Sequence, residues 1–310
     1  ENVLLAMQCR GTPWAYPSDR IRLLVDFILK GCQWMARGVH TVPGTLDRGI
    51  TGKGALDGAD LRALTPYLIN LCPSEAPALR ARAARQGGSG TPLTGFRYFP
   101  YAEFAAYHNI GFSFFLKTIS TRTLPSESIN GENLKGRLLN SGDAYLVSDG
   151  SEYFNLMAVW NWDRLPGITT FPGATEILRK PFVGSVSDGQ SGLTAMDYLM
   201  RGTGREALSA HKIWICHQGF VLCLIAGLTA HNLPSPVFTV LDQCRRQGPV
   251  TVNGSGSRQG SGTDTLHRVR WISQGNFAYM PITPAPIIVF ADTVSGSWSS
   301  VTSAGSDSLC

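Results

Sequence analysis

The chain has 310 residues, enough to bury a large core and to form two domains. Only 16% of residues are charged, 43% are hydrophobic, and there are 34 glycines and 18 prolines. This composition excludes a disordered chain and suits a turn-rich, β-rich globular protein. The net charge of +5 is compatible with an acidic polymer as partner, whereas no Lys/Arg cluster or nucleic-acid motif is present.

Residues 1 to about 95 read helical. Ser18 is the expected N-cap, with Asp19 in the first turn. Ile21, Leu24, Val25, Ile28, Cys32 and Met35 recur at helical spacing up to a stop at Gly38. A second helix is expected from Asp57 to Leu71, and a short basic one from Ala76 to Arg85. The Gly-rich stretch from Gln86 to Thr91 follows as a linker. Between the first two helices, His40 to Ala55 carries Arg48 and Lys53. The GITGKGA run there is no phosphate loop, because Asp47 stands where that motif requires Gly.

From about Phe96 the period changes to that of strands. Segments Phe112–Leu116, Ala144–Val147, Phe154–Val159, Lys212–Cys216, Gly219–Leu224, Phe238–Leu241, Arg268–Ile272 and Ile287–Ala291 are the expected strands. Many strands with no helices between them imply an antiparallel sandwich over residues 96–310. The apolar run Gly219–Ala230 is too short to span a membrane and reads as a buried strand after a turn at His217–Gln218. Asn253–Thr263 is a Gly/Ser loop containing the glycosylation triplet Asn253–Gly254–Ser255, a pattern of little weight alone. The seven cysteines lack a framework spacing and read mostly as small buried hydrophobes. The six histidines show no metal-ligand spacing.

One stretch organises the rest. Residues 118–170 contain Ser120-Thr121-Arg122-Thr123, then Ser126-Glu127-Ser128-Ile129-Asn130-Gly131-Glu132-Asn133-Leu134-Lys135-Gly136. Tyr153-Phe154-Asn155, Trp160-Asn161-Trp162-Asp163 and Pro166-Gly167 follow. By spacing alone, Glu127 and Asn130 read as members of a polar turn after a strand. The ordered set of rare residues, however, resembles polysaccharide lyase family 8. It is most similar to its chondroitin AC lyases, with hyaluronate and xanthan lyases as relatives. Upstream, Gln33 to Gly38 and Asp47 to Ile50 are similar to the family's arginine segment. The resemblance fades after about Leu241.

That resemblance implies the last part of an α/α-toroid over residues 1–95, followed by a β-sandwich cut short at its end. It implies a lyase that breaks uronate-containing chains of the chondroitin, hyaluronan or xanthan type by β-elimination. Asn130 would meet the uronate carboxylate, Arg48 would be the first site arginine, and Glu127 would brace the cluster. The expected substrate-binding residues are Lys53, His108 and Trp162. The family's second arginine falls on Gly52, with Lys53 beside it. Its catalytic His and Tyr would lie before Glu1, so the chain is expected to be a piece of a longer, secreted or periplasmic protein.

No metal or other cofactor is expected. Of the acidic calcium ligands of chondroitin AC lyases only Asp163 remains, the others falling on Asn161, Pro172 and Gly173. The expected partner is an anionic polysaccharide, with no nucleic acid and no membrane, bound by a monomer. The alternative is a carbohydrate-binding relative without catalysis; a two-carboxylate hydrolase using Glu127 and Glu132 is weaker, because nothing pairs them. Trp14, Trp34, Trp160, Trp162 and Trp271 are more often core than sugar platforms. Arg122 is expected in a buried ion pair, Lys117 in solvent, and Asp188–Gly189 in a turn.

Overall fold

A computed structural model describes residues 1–233, 236–254, 257–258 and 260–303. Ser255 of the glycosylation triplet, parts of the 253–263 loop, and Cys310 lie outside the described residues.

Four short helices come first: α1 (Asn2–Cys9), α2 (Ser18–Asp26), α3 (Thr65–Leu71) and α4 (Ala76–Gln86). Val3, Val25, Leu68 and Leu79 of these helices meet Ile28 and Leu29, just past α2, in a small core. The run after Ser18 keeps its helical course but changes pitch, through a π-helical turn (Phe27–Gly31) and a 3-10 turn (Cys32–Met35). Ser18 is not the cap: Pro17 holds that position, and no side chain bonds the free backbone N–H groups. The second helix begins at Thr65 rather than Asp57, with Pro66 in its first turn, where a missing N–H does no harm. These four helices alone do not show the expected toroid.

From Gly95 the chain builds sheets. β1 (Gly95–Phe99), β2 (Phe104–His108), β3 (Ser113–Lys117) and β4 (Asp143–Val147) form an antiparallel meander. A two-residue strand, β5 (Thr169–Thr170), precedes a second sheet. That sheet holds β6 (Ala174–Ile177), β7 (Val183–Ser187), β8 (Gly192–Gly202), β9 (Ala207–His217) and β10 (Phe220–His231), ordered β10-β9-β8-β6 with β7 also on β8. β11 (Phe238–Thr239) pairs with β5. Of β12 (Val250–Val252), β13 (Ser257–Arg258), β14 (Gly262–Leu266), β15 (Ile272–Gln274), β16 (Phe277–Tyr279) and β17 (Ile287–Ala291), β14 pairs with β17 and the others form a four-stranded sheet.

The two large sheets share one core, in which Phe104, Phe115 and Tyr145 join Met196, Tyr198 and Trp214. β2 and β3 are buried at every position, so both faces of the first sheet are covered. On one face Gly44 lies so close to Lys117 that an added Cβ would sit 2.7 Å from its side chain. On the other, Phe96 fills the space above Gly192, and Tyr107 Oη accepts from Gly219 N at 2.9 Å. Val42, Ile50 and Leu56, from between the helices, also belong to this core. The 3-10 stretch Asp47–Thr51 is thereby held against the sandwich.

Several expected strands are corrected. Phe154–Val159 is a series of turns: Asn155 takes a left-handed φ of 54°, while Tyr153 and Met157 go into the core. Arg268, at φ 57°, breaks the segment expected to run to Ile272, and β15 starts only there. Gly219–Ala230 does contain the strand β10, but β10 is at a sheet edge, with Phe220 51% and Leu228 48% exposed. The tight turn before it is Gln218–Gly219, both with positive φ. Asp188–Gly189 is a turn, with Asp188 Oδ1 accepting from the N–H groups of Gln190 and Ser191. Of the six described cysteines, all free, only Cys216 is buried. No helix among the described residues is long and apolar enough to cross a membrane.

Candidate active site

The chain leaves β3 and crosses to the loop that holds Asn130. Asn130 and Gly131 both have positive φ (57° and 77°), and Glu132 N donates to Ile129 O at 3.0 Å across them. Asn followed by Gly is the pair that tolerates such a mirror-image turn. A backbone hydrogen bond therefore closes the turn, with Ser128 Oγ also donating to Glu132 O at 3.4 Å. The Asn130 side chain is exposed and makes no hydrogen bond among the described residues, so its amide is open to a ligand.

Arg48, on the 3-10 stretch Asp47–Thr51, reaches both shoulders of this turn. Its Nη1 donates to Glu127 Oε2 at 2.9 Å, and its Nε lies 3.1 Å from Glu132 Oε2. Three residues before Asn130 and two after it, carboxylates grip one guanidinium. The planar fork of Arg suits such a double hold, and all three side chains remain part-exposed at the loop surface. The back of the loop is fastened too. Gly131 O accepts from Ser303 N at 2.7 Å and Thr302 Oγ1 at 3.2 Å, and Leu134 N donates to Val301 O at 2.9 Å.

The Ser120–Thr123 motif that leads into this loop is fastened at Glu103. Glu103 is fully buried with φ 48° and gathers Ser120 Oγ, Thr123 Oγ1 (2.6 Å) and Arg122 Nη2 (2.7 Å). The ion pair expected for Arg122 exists, though only its Glu is buried; Arg122 itself is half exposed and also donates to Pro181 O and Val183 O. Sequence reasoning missed Glu103, whose signal is only a lone acid in an aromatic hairpin. In the tryptophan block, Trp160 stacks on Tyr145 and Trp162 packs edge-on against Trp160. Gly167 follows with φ 82°, its carbonyl accepting from the buried Lys212 Nζ at 2.6 Å. Burial depresses the Lys212 ammonium to about 8.

Residues 94–309 match the super-sandwich domain of polysaccharide lyase family 8. The chain belongs to that family.

It is 28% identical to the chondroitinase-AC of Pedobacter heparinus, over 95% of this chain and 43% of that protein. It is also 28% identical to a hyaluronate lyase of Thermasporomyces composti, over 65% of this chain and 28% of that one. A chondroitinase AC lyase solved as oligosaccharide complexes superposes with a TM-score of 0.87 at 24% identity, over 97% of this chain and 46% of that one. A Paenibacillus xanthan lyase does so with 0.80 at 21%, over 98% and 34%. At these identities the structural likeness speaks for the fold. The chain spans less than half the length of these relatives.

Within this family-8 chain, the other expected site residues fall apart into two groups. Lys53 is exposed, in the turn after the Arg48 stretch, where Gly54 N donates to Asn155 Oδ1 at 2.8 Å. His108 and Trp162 are corrections. His108 is 3% exposed; its Nδ1 lies 2.7 Å from Ser113 Oγ and its Nε2 3.0 Å from Trp34 O. Burial, with the Arg37 and Arg85 guanidinium groups nearby, pushes it down to about 4, so it is a neutral core residue. Trp162 is 5% exposed in the main core, with Nε1 donating to Met157 O at 3.1 Å, leaving no ring face for a sugar. Lys117 is also buried rather than solvated, its Nζ held by the carbonyls of Ala102 and Thr118.

The residues at the family's calcium position do not fit that ion. The Asp163 carboxylate is taken by Arg137 Nη2, and the Asn161 amide oxygen accepts from Asp163 N at 3.1 Å. Pro172 and Gly173 offer no side-chain ligand.

Proposed function

We propose that this chain forms part of a lyase that cleaves uronate-containing anionic polysaccharide of the chondroitin, hyaluronan or xanthan type by β-elimination. Residues 1–95 would end the helical domain, and 96–310 would form the first part of the central sandwich. One observation carries the proposal. The free Asn130 amide stands on a rigid turn, and one guanidinium is clamped to both its shoulders.

In the elimination, a base takes the proton alpha to the uronate carboxylate. That electron pair forms a double bond to the beta carbon, the glycosidic C–O bond breaks, and the leaving oxygen is protonated. Negative charge builds on the carboxylate before the bond breaks. An amide donor placed there in advance lowers the barrier, as an oxyanion hole does. Asn130 fills that role, Arg48 grips the substrate, and Glu127 holds Arg48 in place. The base is expected from the part of the longer protein that precedes this chain, which would be secreted. Gly52 at the second arginine position favours the non-catalytic alternative, with Lys53 a cation only on the neighbouring position.

The test is Asn130→Ala in the full-length polypeptide, read by ultraviolet absorbance of unsaturated uronate. The expected result is a kcat lower by about a hundredfold to a thousandfold, with little change in KM. A lower Tm with unchanged kcat would remove Asn130 from the site. No unsaturated product from the unaltered protein, with retained polysaccharide binding, would establish the alternative.

A further inference from the structure

The motif around Asn130 holds more residues than the proposed chemistry uses: Ser126, Asn133 and Gly136 are left over. The structure joins them. Asn133 is 2% exposed and sits at φ 56°. Its Nδ2 donates to Ser126 Oγ and to Glu127 O, both at 2.8 Å. Ser126 Oγ in turn donates to Asp47 Oδ1. Asp47 itself has φ 51°, a conformation that L residues take at a cost and hold only when their surroundings fasten them. Gly136 closes the base: a Cβ there would lie 2.0 Å from Asn133 Oδ1.

Asp47 precedes Arg48 and Ser126 precedes Glu127. Two adjacent links therefore join the same two segments, one part-buried and one at the surface. The surface link, Arg48 to Glu127, is part-exposed and worth little as an anchor. The Asp47–Ser126–Asn133 chain is the more shielded of the two, part-buried at Asp47 and Ser126 and buried at Asn133, where hydrogen bonds are stronger than in water.

We propose that Ser126 and Asn133 are positioning residues. With Asp47 they form a lock that sets where Arg48 and Asn130 stand relative to each other; neither residue touches substrate. Gly136 is glycine because the Asn133 amide occupies the space of its side chain. This inference rests on the function proposed above.

The experiment compares Ser126→Ala, Ser126→Thr and Asn130→Ala in the full-length polypeptide, by kcat, KM and Tm. Ser126→Ala removes the donor to Asp47 and the acceptor for Asn133. A misplaced site costs on the order of tenfold to a hundredfold in kcat, with KM within about threefold. Ser126→Thr keeps the hydroxyl and should restore most of that loss. A Ser126→Ala protein whose activity falls only with its folded fraction would show a purely structural link and overturn the proposal, as would wild-type kcat. If Ser126→Ala fails to fold, Ser126→Thr and Asn133→Asp decide. Asn133→Asp turns a donor into an acceptor facing two oxygens and should lower kcat, while Ser126→Thr retains it; equal kcat in both would overturn the lock. Loss in Asn130→Ala with none in Ser126→Ala defeats the lock alone, whereas no loss in Asn130→Ala defeats the site itself.

Discussion

Arg48 Nη1 donates to Glu127 Oε2 across 2.9 Å and 79 positions of sequence. The pair ties the connection between the helices to the loop after β3, with Glu132 as a second acceptor on the same guanidinium. Pairs this exposed contribute about 0–1 kcal/mol to stability, so the role of Arg48 is orientation rather than strength.

Arg48→Ala is therefore expected to lower kcat/KM by about a hundredfold, affecting both kcat and KM, while Tm moves by about 2 °C or less. Arg48→Lys should recover little, because an ammonium lacks the fixed fork that spans two carboxylates. Steady-state kinetics and melting curves on the full-length polypeptide check this. A large drop in Tm with normal kcat would make Arg48 a strut.

Trp162→Ala should remove about 3–5 kcal/mol of stability, because it opens a cavity beside Trp160. KM of the folded fraction should stay as it was. Denaturant unfolding and kinetics on the same samples separate the two effects. A raised KM with unchanged stability would return Trp162 to the substrate.

His108 predicts a pH dependence. Its folded value of about 4 lies below the ordinary 6.5, so between these values the unfolded chain binds the extra proton. Its contribution is fully present above pH 6.5 and is lost as pH falls towards 4, about 3 kcal/mol in all. Asp143, buried and pushed up to about 6 chiefly by desolvation, works in the opposite sense: its contribution is lost as pH rises from 3.8 to 6. The comparison is hence wild type against His108→Gln. Between pH 7 and 4 the wild type should lose about 3 kcal/mol more than the variant. Parallel stability curves would refute a buried neutral imidazole.

Chelation should leave activity on chondroitin, hyaluronan or xanthan within about twofold of the untreated rate, since Arg137 holds the one acid left at the calcium position. Activity that vanishes with chelator and returns with Ca²⁺ would show a metal site elsewhere.

What the amino-acid order determined by itself is local. Apolar spacing separated the helical residues before about 95 from the strands after them. The run from Ser120 to Gly167 carried the family, and Glu127 with Asn130 marked a polar turn after a strand. These signals lie within a few neighbours of each other, where backbone sterics and side-chain period act directly. Which surfaces are covered was decided only by the tertiary structure. Lys117 looks like a solvated strand residue until Gly44 is laid against it, and Ala102 offers a carbonyl. His108 and Trp162 look like ligand groups until Trp34 and Met157 take their polar atoms. β10 looks buried until the sheet order leaves it at the edge. Burial depends on segments tens of residues away, and no periodicity within a window records their approach. The hold of Arg48 on both sides of Asn130 is of the same kind. Its residues stand in plain view in the sequence, but only folding brings the two segments within hydrogen-bonding distance.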